Sequence, residues 1–169
     1  MRTISNLALY FIILSFFSCN GSDRKSTETG HFVDSFTGGL KEKKIVDDLY
    51  ISLPESYSIR KKSGPDFSVY YFGPADSTIK ADFSGGIYLG NFPQEFTAAN
   101  DSCKNSSIKG KILDDAPNWK IFTCDSSFFL QTIIENKGDK SADKLHAFGK
   151  GTVGNEEKVL KVFATLKRK

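Results

Sequence analysis

The stretch that most limits what this chain can fold into is residues 7–17 (LALYFIILSFF), an almost unbroken apolar run that stops two residues before Cys19. As a helix it would be about 16 Å long, at ~1.5 Å per residue. A membrane core near ~30 Å thick needs about 20 apolar residues to cross. The run is therefore too short to span. Behind the positive Arg2, and ahead of small Ser18 and polar Asn20, Gly21 and Ser22, it has the layout of a signal-peptide apolar region. Such a segment stands apart from the fold, which must then come from residues 19 onward.

The residues at the end of the run specify the kind of signal. Phe16-Phe17-Ser18-Cys19 resembles the lipobox of bacterial lipoproteins, although an aliphatic residue is commoner where Phe16 stands. Membership of that family implies that the Cys19 thiol carries diacylglycerol and that residues 1–18 are removed. It also implies that a membrane of the bacterial cell envelope holds the protein, with no transmembrane helix. Two or more buried acyl chains anchor stably, whereas one does so only marginally. In that family an Asp after the cysteine favours inner-membrane retention, so Asn20 points to the outer membrane. The alternative is an ordinary secreted protein cut nearby. Asn20, Asn100 and Asn105 would then begin glycosylation triplets in a eukaryote.

Of the 23 Lys and Arg residues only Arg2 lies in the removed segment, which leaves 22 against 20 Asp and Glu. A near-neutral domain has no basic excess with which to displace counterions, and this argues against nucleic acid as a partner. About 150 residues make one domain of ordinary size. Residues 19–44 are polar (GSDRKSTETG, then Thr37-Gly38-Gly39) and read as the lipidated cysteine and a flexible tether. Within them His31 and Asp34 form at most half of a metal site.

Residues 45–169 read as a single α+β domain, mainly antiparallel sheet with an amphipathic C-terminal helix packed on it. Leu49, Ile51 and Leu53 alternate with polar neighbours as a half-buried strand. Pro54-Glu55-Ser56 turns the chain, and Tyr57 to Arg60 returns. Lys61 to Asp66 reads as a loop, and FSVYYF from Phe67 as a strand. Another strand begins at Phe83, where Gly85 and Gly86 suggest a bulge or a close backbone approach. Residues 93–100 (PQEFTAAN) suggest one or two helical turns behind Pro93. A meander follows, from Ser107, Trp119 and Phe128, with the apolar FFLQTIIE near the sheet centre. The last strand, from Lys144, puts His146 and Phe148 on one face and Leu145 and Ala147 on the other.

Asn155, Glu156 and Glu157 suit a helix N-terminus. Val159, Leu160, Phe163 and Leu166 make one apolar face, and Lys167, Arg168 and Lys169 suit the opposite end. This order of elements is similar to the PsbP-like α/β/α sandwich over residues 47–169. The resemblance is carried by YISLPESYSI from Tyr50, GPDFSVYYF from Gly64 and the strand-helix end from Leu145. Members of that fold mostly serve as binding or assembly accessories, which implies interaction rather than chemistry.

With Cys19 assigned to lipid, Cys103 and Cys124 remain as a pair that an oxidising compartment would bond. Free thiols or a redox pair are the alternatives, and no Cys-x-x-Cys spacing supports redox chemistry. Asp114, Asp115 and Asp125 match no calcium loop and read as turn residues. No nucleophile motif accompanies His146, which reads as a packed or rim histidine. No catalytic residue, metal site or cofactor is therefore assigned. The expected function is a non-enzymatic binding or accessory module with a protein partner in the envelope. An enzyme using carboxylates gathered by the fold is the alternative.

Overall fold

The computed structural model describes residues 39–98, 102–137 and 142–169. The expected signal segment, Cys19, His31, Asp34 and most of the expected tether lie outside the described residues. No helix among those described is long and apolar enough to cross a membrane, and a lipid anchor needs none.

The first described strand, β1 (Leu40–Val46), pairs antiparallel with β2 (Leu49–Pro54). Residues 40–44, inside the span 19–44 read as tether, are therefore strand. Pairing and partial burial both contribute, since β1 takes its register from β2 and rests Leu40, Ile45 and Val46 against the core while its charged residues stay exposed. In β2 the sequence alternation is realised, with Leu49, Ile51 and Leu53 fully buried. A turn at Glu55-Ser56 passes the chain into a second sheet.

That second sheet has seven antiparallel strands in the order β3-β4-β5-β9-β8-β7-β6. They are β3 (Tyr57–Ser63), β4 (Phe67–Pro74), β5 (Phe83–Gly90), β6 (Lys104–Lys109), β7 (Asn118–Cys124), β8 (Ser127–Glu135) and β9 (Lys144–Thr152). The expected meander is β6-β7-β8, and its first strand starts at Lys104 rather than Ser107. β3 continues through Lys61 and Lys62, which were expected in a loop. Both residues pair with β4 while their charged side chains stay in water at the sheet edge. Lysines at both outer strands blunt edges that would otherwise template further pairing.

One face of the large sheet is sealed. Helix α1 (Glu156–Phe163) packs against β9 and β2, burying Val159, Val162 and Phe163. Their partners in the core include Phe72, Phe83, Leu130 and the fully buried Trp119. The architecture is thus mostly antiparallel sheet with one short helix laid on it.

The helix differs from expectation at both ends. Asn155 occupies the N-cap position without a side-chain capping bond, and the Glu156 side chain instead accepts from the Gly154 N–H at 2.8 Å. After Phe163 the chain leaves the helix. Thr165 Oγ1 accepts the Ser52 N–H at 2.8 Å, and Leu166 is buried beyond the helical face expected to carry it. Lys167 and Arg168 therefore do not cap the helix dipole. They form β10 (Lys167–Arg168), which pairs with Tyr50 and Leu49 of β2. Arg168 fixes this return by donating to Asp48 Oδ1 at 2.6 Å and to Asn136 Oδ1.

Candidate functional site

The other face of the large sheet carries neither the helix nor the small sheet. Strand registers stack its side chains into rows. One row runs Arg60, Tyr71, Gly86, Phe148, Gln131 and Lys120 across six strands. The next runs Ser84, Lys150, Phe129 and Phe122. A third joins Lys62, Val69, Tyr88, His146 and Ile133. The face is therefore aromatic in the middle and cationic towards β3. Alternation within each strand dictates this, because the opposite parity supplies the core.

Gly85 and Gly86 make no bulge, since both keep regular register with β4 and β9. The second expectation, close approach, is the one realised. A Cβ on Gly86 would lie 2.5 Å from Cζ of Phe148. The bare backbone lets that ring lie over β5 and meet Tyr71 edge-on, with centroids 6.0 Å apart.

Residues 91–98 cross this face as an extended strap. No helical turn forms over 93–98, contrary to the reading from Pro93. A helix would have to satisfy its own backbone, whereas here Gln131 does so. Its Nε2 donates to the Phe96 carbonyl at 2.7 Å, and its Oε1 accepts the Phe96 N–H at 2.9 Å. The Phe96 ring sits among Phe129, His146 and Phe148, with centroids 4.8, 5.3 and 5.5 Å away. Glu95 pairs with Lys120, and the Phe92 N–H reaches Tyr88 Oη at 3.4 Å.

His146 is 2% exposed, and its Nε2 lies 3.0 Å from Gln131 Oε1. That oxygen only accepts, so His146 is the Nε2–H tautomer and donates. Burial lowers its pKa to about 4, partly opposed by the charge of Glu95. The ring is neutral at pH 7 and works as a packed support for the strap.

Four clefts open around Phe96. One of about 590 Å³ lies between Phe96 and strands β3 and β4. Its lining carries Arg60, Lys61, Lys62 and Lys150 and no carboxylate. A second, of about 460 Å³, lies by Phe92 and includes Asp66. A third, of about 730 Å³, extends over Phe122 and Phe129. The fourth, of about 430 Å³, lies between Glu95 and strands β6 and β7.

The remaining residues singled out by sequence lie elsewhere. Asp114 and Asp115 line a hollow of about 570 Å³ with Glu135 and four basic residues, including Lys111 and Lys137. Lys137 there pairs with Asp115 at 3.5 Å. Asp125 stands apart in the β7–β8 turn at φ 51°, as turn chemistry suggests. Among the described residues no group of three or more His, Cys, Asp or Glu could hold a metal. The sulfurs of Cys103 and Cys124 are at bonding distance, 1.98 Å, with Cα atoms 4.4 Å apart. A bond between them would tie the outer strand β6 to β7.

Sequence reasoning did not find the outward face. Gln131 and Phe96 are 35 residues apart, and only the strand order brings them together. The available signal was Gln131 itself, a long polar side chain set inside an apolar strand. No protein-family profile, curated protein or solved structure matches the chain.

Proposed function

We propose that this chain is a lipoprotein of the bacterial cell envelope whose domain binds an envelope protein and catalyses no reaction. Cys19, directly after a short apolar run and Ser18, is the lipid attachment point, and Asn20 favours the outer membrane. The binding role rests on one observation. The face of the large sheet opposite the helix presents ring-lined clefts, with Tyr71 41%, Phe96 42% and Phe92 77% exposed. Apolar surface grouped in this way, rimmed by charge, marks interaction sites more often than it occurs on inert surfaces.

Two measurements on the full chain test the reading. Intact mass of detergent-extracted protein, beside Cys19→Ala, should show a lipid-modified chain beginning at Cys19, lost with membrane association in the variant. Hydroxyl-radical footprinting then compares the protein in intact envelopes with the purified form. Protection of Tyr71, Phe92 and Phe96 in the envelope supports the reading. Equal reactivity of all three in both states would overturn the binding role of this face.

A further inference from the structure

Resting on that reading, we propose that the cleft between Phe96 and strands β3 and β4 receives an extended polypeptide segment of the partner, in which an aromatic side chain stands beside acidic ones.

The chain's own strap shows what the face accepts. In residues 91–98 an extended backbone crosses the strands, an aromatic ring enters the trough, and the adjacent acid, Glu95, meets a lysine of the sheet, Lys120. Gln131 holds the strap by its backbone N–H and C=O, so the recognition requires extended geometry. Ring, acid and extended backbone together form a short motif that fits this surface.

The neighbouring cleft offers the same chemistry on the other side of Phe96. Its walls are Tyr71, Phe148, Phe129 and Phe96 itself. Among the described residues no carboxylate lies within 4.0 Å of Arg60, Lys62 or Lys150. By contrast Lys41, Lys120, Lys137, Lys144, Lys161, Lys167, Arg168 and Lys169 all have acidic partners. Among the described residues, the cations without an acidic partner thus include three around one aromatic cleft. Lys61, of opposite parity on β3, turns towards the Tyr70 ring with its ammonium 5.6 Å from the centroid. The three that remain face the cleft and complement an anionic partner. A ring would stack against Tyr71 and Phe148, where aromatic pairs gain beyond the area they bury. Flanking carboxylates would reach the Arg60, Lys62 and Lys150 rim.

The test is calorimetric titration of the full chain, as extracted in detergent, with capped synthetic peptides. Asp-Glu-Phe-Asp-Glu is the probe. Asp-Glu-Ala-Asp-Glu lacks the ring, Lys-Lys-Phe-Lys-Lys reverses the charge, and 3-phenylpropionate is the bare aryl anion. Binding of the probe at least tenfold tighter than the other three is expected. Lys62→Glu with Lys150→Glu, and separately Tyr71→Ala, should each weaken it at least tenfold. Lys109→Glu, on the opposite edge strand, should not.

Equal binding of the peptide without the ring, or of 3-phenylpropionate, would overturn the assignment of an aromatic-acidic segment. So would probe binding that survives the cleft variants. If no peptide binds while Tyr71 and Phe96 are still protected in envelopes, this inference falls and the broader binding role stands. If that protection is also absent, both fall.

Discussion

Gln131 holds the backbone of Phe96 from both sides, accepting its N–H at 2.9 Å and donating to its carbonyl at 2.7 Å, from a position only 1% exposed. The same Oε1 takes the His146 proton, so one amide serves three groups. Gln131→Leu keeps much of the volume and strips all three of their partner. A loss of about 2 kcal/mol is expected, since each buried hydrogen bond contributes about 1 kcal/mol and orphaned groups cost more. Amide exchange at Phe96 should quicken at the same time. An unchanged denaturation midpoint with unchanged exchange would mean that ring packing alone holds the strap.

His146 makes stability fall in mild acid. Burial depresses its folded pKa to about 4 from an ordinary value of 6.5, so between those values the unfolded chain binds a proton that the folded chain refuses. The neutral ring's contribution is fully present above pH 6.5 and declines as pH falls towards 4, below which both states are protonated. The total is about 3 kcal/mol at ~1.36 kcal/mol per unit. Urea midpoints from pH 7 to pH 4 should show the decline in the wild type. The other histidine, His31, is common to wild type and His146→Asn, so the difference between them isolates His146. Parallel curves would show that His146 does not titrate in this way.

Much of the architecture was legible wherever a strand has one wet face. Leu49, Ile51 and Leu53 announce β2, and the alternation from Lys144 places His146 and Phe148 together on the face where they are found. What escaped was decided by distant backbone. β1 reads as tether because an edge strand can be built from charged residues once β2 supplies its hydrogen bonds. The strap reads as helix because Pro93 and its neighbours permit one, while Gln131, far along the chain, rewards an extended path. Lys167 and Arg168 suit a helix end equally well until Asp48 and Asn136 draw Arg168 back to β2. The outward clefts exist only as rows across strands, and a row is a property of register that no local pattern records.

A bond between Cys103 and Cys124, whose sulfurs are at bonding distance, would close a loop with a sequence separation of 21 at the outermost hairpin. All six residues of β6 are exposed, so its own packing holds it weakly. In the chain-entropy picture a loop of this size adds roughly 3 kcal/mol by restricting the unfolded state. Cys103→Ser with Cys124→Ser should lower the urea midpoint accordingly and speed amide exchange first in β6. The wild type under reducing conditions should match the double variant. Identical midpoints for oxidised wild type and double variant would show that β7 alone fixes the edge.

Gly85 and Gly86 are neighbours that should respond in opposite ways to the same substitution. A Cβ on Gly85 would lie 2.5 Å from the Phe148 carbonyl oxygen and 2.7 Å from the core ring of Phe72. Neither can yield, because one is ladder backbone and the other is packed against Phe83 and Phe163. Gly85→Ala should therefore cost about 2 kcal/mol or more. The three atoms nearest to a Cβ on Gly86 all belong to the ring of Phe148, which is half-buried and borders the open cleft. That ring can swing outward, and alanine restricts the unfolded chain more than glycine by about 0.5 to 1 kcal/mol. Gly86→Ala should leave the melting temperature close to that of the wild type. The displaced ring would fill the cleft and separate from Tyr71, so the acidic phenylalanine peptide should bind at least tenfold more weakly. Intact binding with Phe148 displaced, seen as a shift of its ring resonances, would place the ligand elsewhere on the face.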